Sequence, residues 1–337
     1  MKHSFRNDYN TIGHPSILQV LLDNASIVNV GYGFDEETRK LNDTVRKMLN
    51  EDVECYALAG GTQTNLIAIS KVLLNYEGVI SVESGHINVH ETAAVEGTGH
   101  KIITVPGFNG KVRVEDVKKV MNDYADCHMV KPKMVYISNS TEIGTIYNKE
   151  ELRKLYEVCK KYELYLFLDG ARLPIALTSH ENDLTIQDIA KYTDAFYLGG
   201  TKNGMPLGEL LILKHQDMKK DFRYHLKNKG GMLSKSYFLA YLFNAYLKDD
   251  FYLKLASYTN NMARYLVEKL NSIGVKIEYP NPTNQIFCIL NDEMLNKIKN
   301  DYDFEIWEKR GKETIIRLVT SWCTTRESID DLINDLL

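Results

Sequence analysis

Apolar and polar positions change their period along the chain. After an irregular segment through Pro15, Ile17 to Leu22 forms a short amphipathic stretch, and Glu36 to Leu49 reads as a longer helix beyond the turn-rich loop Asn29-Val30-Gly31-Tyr32-Gly33. From Gly60 onward, short β-rich runs alternate with helical stretches. Val79 to Val82, Lys101 to Val105, Met134 to Ser138, Leu164 to Leu168, Ala195 to Leu198 and Glu209 to Leu213 read as strands. Asn65 to Leu74, Val114 to Tyr124 and Lys149 to Tyr162 carry apolar residues at helical spacing between them. Strands alternating with helices predict a mostly parallel sheet covered on both faces.

The pattern breaks at the basic and glycine-rich turn Lys227 to Gly231. A Tyr- and Leu-rich helix from about Ser234 to Leu247 follows, then a long helix from Phe251 to Ile273. The strands Val275 to Tyr279 and Gln285 to Leu290 flank the turn Pro280-Asn281-Pro282; a short helix, two strands ending at Ile315 to Thr320 and a last helix from Arg326 complete the pattern. Three parts are expected: an N-terminal segment 1–24, a large α/β domain 25–248 and a smaller α+β domain 249–337. A chain of 337 residues is long enough for one large core with an appended domain.

Composition adds mainly exclusions. Hydrophobic residues at 44% and charged residues at 26% are ordinary globular usage. A net charge of -4, without any unbalanced run of Lys and Arg, points away from nucleic acid. Apolar runs such as Leu210 to Leu213 fall far short of the ~20 residues of a membrane helix, and the opening residues lack the apolar stretch of a signal peptide. No membrane partner is expected. The five cysteines are scattered without a C-x-x-C pair, which argues for a reducing, cytoplasmic setting.

Candidate chemistry begins with Tyr165-Leu166-Phe167-Leu168-Asp169-Gly170-Ala171-Arg172, where a buried strand delivers an acid at its carboxyl end, the edge at which open α/β sheets bind ligands. Further on, a second strand runs into Gly199-Gly200-Thr201-Lys202-Asn203-Gly204, whose glycines let the backbone pass close to a bound group while presenting one lysine. Pyridoxal 5′-phosphate needs such a pair: a lysine amine to form its imine, and an acid that keeps the pyridine nitrogen protonated and the ring electron-withdrawing. Taken singly, Lys202 reads as a solvated loop residue and Asp169 as a turn acid; their joint placement on two strand ends makes them candidates.

Ala59-Gly60-Gly61-Thr62-Gln63-Thr64 opens directly into a helical run, so its free N–H groups, with the Thr62 and Gln63 side chains, can cradle a phosphate. A plain Thr N-cap explains the same residues, and neither the P-loop spacing nor a dinucleotide G-x-G-x-x-G is present. In Gly85-His86-Ile87-Asn88-Val89-His90-Glu91, an imidazole can stack on a pyridine ring and act as a base. His86, His90 and Glu91 lack both the H-E-x-x-H order and a third ligand, so no metal is expected.

Asp169-Gly-Ala-Arg172, Gly200-Thr201-Lys202-Asn203-Gly204, Gly61-Thr62-Gln63-x-Asn65 and Gly85-His86-Ile87 resemble, in order and spacing, the low-specificity L-threonine aldolases of the threonine aldolase and β-eliminating lyase family. Tyr32-Gly33-Phe34-Asp35 and Ile316-Arg317-Leu318-Val319-Thr320-Ser321-Trp322 agree, so the likeness spans nearly the whole chain. It implies the aspartate-aminotransferase-like fold type I of pyridoxal-phosphate enzymes. It also implies retro-aldol cleavage of L-threonine, L-allo-threonine and related β-hydroxy amino acids to glycine and an aldehyde. β-Elimination, racemisation or transamination on the same scaffold is the alternative. A non-catalytic α/β binding protein would leave the pairing of Asp169 with Lys202 unexplained.

By that resemblance Lys202 carries the cofactor, Asp169 faces its ring nitrogen, and Arg172 reaches its phenolic oxygen and the substrate carboxylate. His86 stacks on the ring, Gly61 and Thr62 hold the phosphate, and Arg317 clamps the substrate carboxylate with its planar fork. Asn7-Asp8 stands where many relatives have a serine before the aspartate, which makes Asn7 a substrate contact through its amide. A neighbouring subunit, in a homodimer or homotetramer, would complete the site with the Tyr32 loop and a basic residue near Lys229.

Overall fold

Seven strands make the central sheet of the computed structural model, which describes residues 2–337. They are β1 (Glu54–Leu58), β2 (Glu77–Val82), β3 (Ile102–Val105), β4 (Lys131–Ser138), β5 (Tyr165–Asp169), β6 (Ala195–Gly199) and β7 (Glu209–Leu213). Their spatial order is β1-β7-β6-β5-β4-β2-β3. Neighbours run parallel except at β7, which is antiparallel to both β6 and β1. β1 is the strand that the apolar pattern does not announce: it lies at the sheet's edge, and most of its residues are only half-buried.

Alternate residues of the inner strands serve opposite faces. Leu166, Leu168 and Leu198 pack with Leu41, Leu152 and Phe243 on one side, whereas Tyr165, Phe167 and Tyr197 pack with Ile67 and Phe222 on the other. Burial on both faces is why these strands are apolar at every position instead of at alternate ones. The helix Glu36–Leu49 shows how local signals set the boundaries. The Asp35 carboxylate accepts the Thr38 N–H at 2.7 Å, acids fill the first turn and bases the last, and Asn50 ends it in a left-handed conformation.

A second, antiparallel sheet of β8 (Lys276–Ile277), β9 (Gln285–Asn291), β10 (Glu305–Arg310) and β11 (Glu313–Val319) has the order β10-β11-β9-β8. The helices Phe251–Ser272 and Arg326–Leu336 contribute Leu266 and Leu332 to a core shared with Ile286 and Leu318. The N-terminal segment joins this smaller body. His3–Ser4 pairs in parallel with Tyr302–Asp303, Phe5 enters the small core, and the Phe5 carbonyl accepts the Val319 N–H at 2.7 Å. Among the described residues no helix is long and apolar enough to cross a membrane.

Candidate active site

The carboxyl end of β5 carries Asp169, buried and bonded on both oxygens. Tyr136 and Tyr197 each donate a hydroxyl at 2.5 Å, to Oδ2 and Oδ1 respectively; Asn65 Nδ2 reaches Oδ2 and the Ala171 N–H reaches Oδ1, both at 3.0 Å. Burial favours the protonated acid, but the charge of His86 and these donors outweigh it, and the carboxyl is held below its usual range. Strand alternation explains the two tyrosines: Tyr136 and Tyr197 belong to the same sheet face as Phe167, so their hydroxyls converge beneath the acid.

Two glycines let the acid's turn and the lysine's turn meet. A Cβ on Gly170 would stand 1.8 Å from the Tyr197 carbonyl oxygen, and one on Gly199 would stand 2.3 Å from that of Ala171. Lys202 follows in the turn Thr201–Asn203, which Asn203 pins by donating to the Tyr246 hydroxyl at 2.6 Å and the Tyr252 carbonyl at 2.8 Å. Among the described residues Lys202 Nζ has no hydrogen-bond or ion-pair partner; it lies 5.9 Å from the centre of the Tyr9 ring. Burial and then the Arg172 charge lower its pKa, which favours the neutral, nucleophilic amine.

The helix Gly61–Val72 starts at Gly60 without any side-chain cap, and a side chain at Gly60 would meet open space. Its first N–H groups are therefore offered to an anion. Gly61, Thr62, Asp169, Lys202, His86 and Arg172 line one cavity of about 240 Å³. An uncapped helix start, an unpaired amine and a buried ionised acid around one cavity fit pyridoxal 5′-phosphate.

His86 is fixed by its surroundings. Its N–H donates to Glu142 Oε1 at 3.0 Å, and its Nδ1 lies 2.8 Å from Glu91 Oε1, which also accepts from Asn65 Nδ2 at 2.7 Å. Facing a carboxylate, Nδ1 carries a proton, so Nε2 is the ring nitrogen left to exchange one. Asn65 thus ties the support of His86 to Asp169. Glu142 also accepts from Ser138 Oγ at 2.7 Å, and burial raises its pKa.

A second cavity of about 310 Å³ shares Tyr9, His86, Glu142, Arg172 and Lys202 with the first and adds Asn7, Glu305, Trp307 and Arg317. Arg172 grips Asp8 with two bonds, Nε to Oδ2 at 2.7 Å and Nη2 to Oδ1 at 3.0 Å, and Asn284 Nδ2 donates to the same carboxylate at 2.9 Å. Arg317, on β11, donates from Nη1 to Gln285 Oε1 at 3.2 Å and pairs with Glu305; its Nε is buried without a partner. The Asn7 side-chain oxygen accepts the Tyr9 N–H at 3.0 Å.

The remaining expected residues lie elsewhere. Gln63 turns its amide oxygen back to the Ala59 N–H at 3.2 Å and lines neither cavity. Tyr32 sits on a loop beside a separate cavity with Arg223, whose Nη2 donates to the Tyr32 carbonyl at 2.7 Å. Lys229 closes the helix Phe222–Asn228 and lines neither cavity. Sequence reasoning missed Asp8, Asn65, Glu91, Tyr136, Glu142, Tyr197 and Glu209 as site residues. Asn65 had a local signal: it stands one helical turn after Gly61 and so shares its face. Asp8 had none, because its partner is remote in sequence.

Comparison with known proteins agrees with this geometry. The model of the β-eliminating lyase family matches residues 5–293. The low-specificity L-threonine aldolases of Pseudomonas aeruginosa and of Pseudomonas sp. strain NCIMB 10558 are 29% and 30% identical, each over 90% of this chain and 88% of their own. The structure of Leishmania major threonine aldolase superposes with a TM-score of 0.97 at 40% identity, covering 99% of this chain and 98% of that one. A Thermus thermophilus aspartate aminotransferase variant, at 13% identity and a TM-score of 0.70, shares the fold alone. With its fold type I architecture, the chain belongs to the β-eliminating lyase family.

Proposed function

We propose that the protein cleaves β-hydroxy amino acids, L-threonine and L-allo-threonine among them, to glycine and an aldehyde by a retro-aldol reaction. The observation that carries this reading is the meeting of an unpaired Lys202 amine, the four-bonded Asp169 carboxylate and His86, next to a second cavity that Arg172 and Arg317 line. Bound pyridoxal 5′-phosphate supplies an electron sink for the pair released when the bond between the α and β carbons breaks.

The chain's own residues do the rest. Gly61 and Thr62 offer backbone N–H groups to the phosphate. Asp169 keeps a proton on the ring nitrogen that faces it, and Lys202 offers a neutral Nζ. Arg317 holds the substrate carboxylate, and Arg172, oriented by Asp8, reaches the cofactor's phenolic oxygen and the same carboxylate. Asn7 adds an amide contact. His86 Nε2 accepts the proton of the β-hydroxyl. With the amine and the carboxylate both held, the substrate is oriented for cleavage.

A panel of β-hydroxy amino acids, scored for aldehyde and glycine in the parent and in Lys202→Ala, tests the reading. Aldehyde in the parent and none in the variant is expected; keto acid and ammonia without aldehyde would sink it.

A homodimeric or homotetrameric assembly is supported by the exposed apolar loop that carries Tyr32, where Val28 is 96% and Phe34 72% exposed. A second copy would cover this loop and receive Tyr32 beside its own site. The cysteines, all free, support a reducing, cytoplasmic setting.

A further inference from the structure

Glu209 opens β7 at the sheet edge where the site is built, and none of the roles above employs it. Strand register sets it opposite Gly199 of β6 on one side and opposite Leu58 of β1 on the other. It therefore stands between the turn that presents Lys202 and the turn that leads into Gly60 and Gly61. Its side chain is buried, it lines the cofactor cavity, and Oε2 accepts the Gly200 N–H at 3.3 Å. Among the described residues no cation pairs with it within 4 Å.

The charged and titratable groups around it come from four elements: Lys202 of the lysine turn, Asp169 of β5, Tyr197 of β6, and Tyr246 of the helix Tyr237–Leu247. Burial pushes the Glu209 carboxyl up to about 8, against the opposing pull of Thr201 and Lys202, and Asp169 adds to the rise. At neutral pH it is a hydrogen-bond donor. A phosphate dianion presents acceptors only, and its charge would hold that proton more firmly still.

On the reading of this cavity as a pyridoxal-phosphate site, we propose that Glu209 recognises the cofactor's phosphate, donating its carboxyl proton as a hydrogen bond to a phosphate oxygen and weakening the hold on that phosphate when it ionises. The sign follows from charge. Protonated, Glu209 adds a donor to the uncapped helix start; ionised, it sets like charges together where its side chain is buried. Phosphate affinity therefore falls as pH rises through the titration of Glu209.

The test uses the full chain carrying Lys202→Ala, which prevents covalent capture and removes the amine's own titration. Pyridoxine 5′-phosphate and pyridoxine are titrated by calorimetry from about pH 6.5 to about pH 9.5, and the ratio of their affinities is followed. The ratio is expected to fall, toward tenfold per pH unit, as pH rises past about 8, the loss of the Lys202 charge moving the fall upward, and to stay level once Glu209→Gln, whose amide donates at every pH, is added. The same slope in both chains overturns the proposal, as does a ratio that Glu209→Gln abolishes at every pH. Should that variant misfold, the phosphorus resonance of the bound cofactor in the unaltered holoenzyme decides: a shift as pH rises above about 8 supports the role, and a flat line overturns it. If neither probe binds at any pH, the cofactor reading itself falls; if the phosphate is preferred equally at every pH, only the Glu209 role falls.

Discussion

The two cavities that meet at Lys202 are built differently. The cofactor cavity rises from adjoining strand ends of one sheet; every oxygen of Asp169 is bonded, and the turns of Gly170 and Gly199 touch backbone to backbone. The second cavity gathers side chains from the N-terminal segment, the His86 turn and the small sheet, and there Arg317 divides itself between Gln285 and Glu305 with Nε left over. Fixed dipoles suit a step that tolerates little reorganisation. Long charged side chains with unused donors suit a wall that adapts to different substrate side chains.

Substitutions can break this contrast, and the greatest effect is expected at Lys202. Lys202→Ala should lower single-turnover aldehyde release by more than about 10³-fold, and borohydride should no longer fix the cofactor to the chain. A variant retaining a tenth of parental turnover would exclude Lys202 as the attachment point. Asp169→Asn keeps the shape but removes the charge, so kcat should fall about 10²- to 10³-fold with KM little changed. A loss confined to KM would contradict the ring-nitrogen role.

Arg172, gripped by Asp8, lines both cavities. Asp8→Asn leaves a buried guanidinium uncompensated and should cost about 3–5 kcal/mol, read from urea unfolding of the full chain. Burial alone would raise the Asp8 pKa, but Arg172 and Lys202 hold it below the ordinary value. The ionised form is thus favoured by folding: its stabilisation is complete at neutral pH and is lost as pH falls below about 4 toward the depressed folded value. The variant should lack that part of the acid transition, and coincident acid curves would rule the linkage out. In the looser cavity effects shrink. Arg317→Ala should raise KM about 10- to 100-fold and change kcat less. Glu305→Gln frees Arg317 from a partly buried pair and should lower KM by roughly two- to fivefold; a raised KM would mean that Glu305 positions the arginine instead of competing for it.

The same contrast governs what the sequence disclosed. Inner strands buried on both faces leave unbroken apolar runs, so β4 to β7 and the acid and lysine at their ends were legible, as was the helix Glu36–Leu49 with its Asp35 cap. β1 was not, because Cys55 to Leu58 is an apolar run too short for periodicity to assign it to a strand. Tyr136 and Tyr197 look like ordinary core aromatics until register aims both hydroxyls at one carboxylate. Asp8 with Arg172, and Glu305 with Arg317, are tertiary pairs, and no local pattern encodes a partner on another element. Gln63 misled because a side chain next to an N-terminal turn has a competing use, capping the backbone just before it.

The bond from Val319 to the Phe5 carbonyl has a consequence for how the enzyme is made. Asn7, Asp8 and Tyr9 leave the ribosome early, yet the strand that docks their segment emerges only when translation has passed Val319. Until then Arg172 lacks its counter-ion and the second cavity lacks a wall, so a nascent chain stalled before β11 should fold its central sheet and still be unable to hold an amino acid.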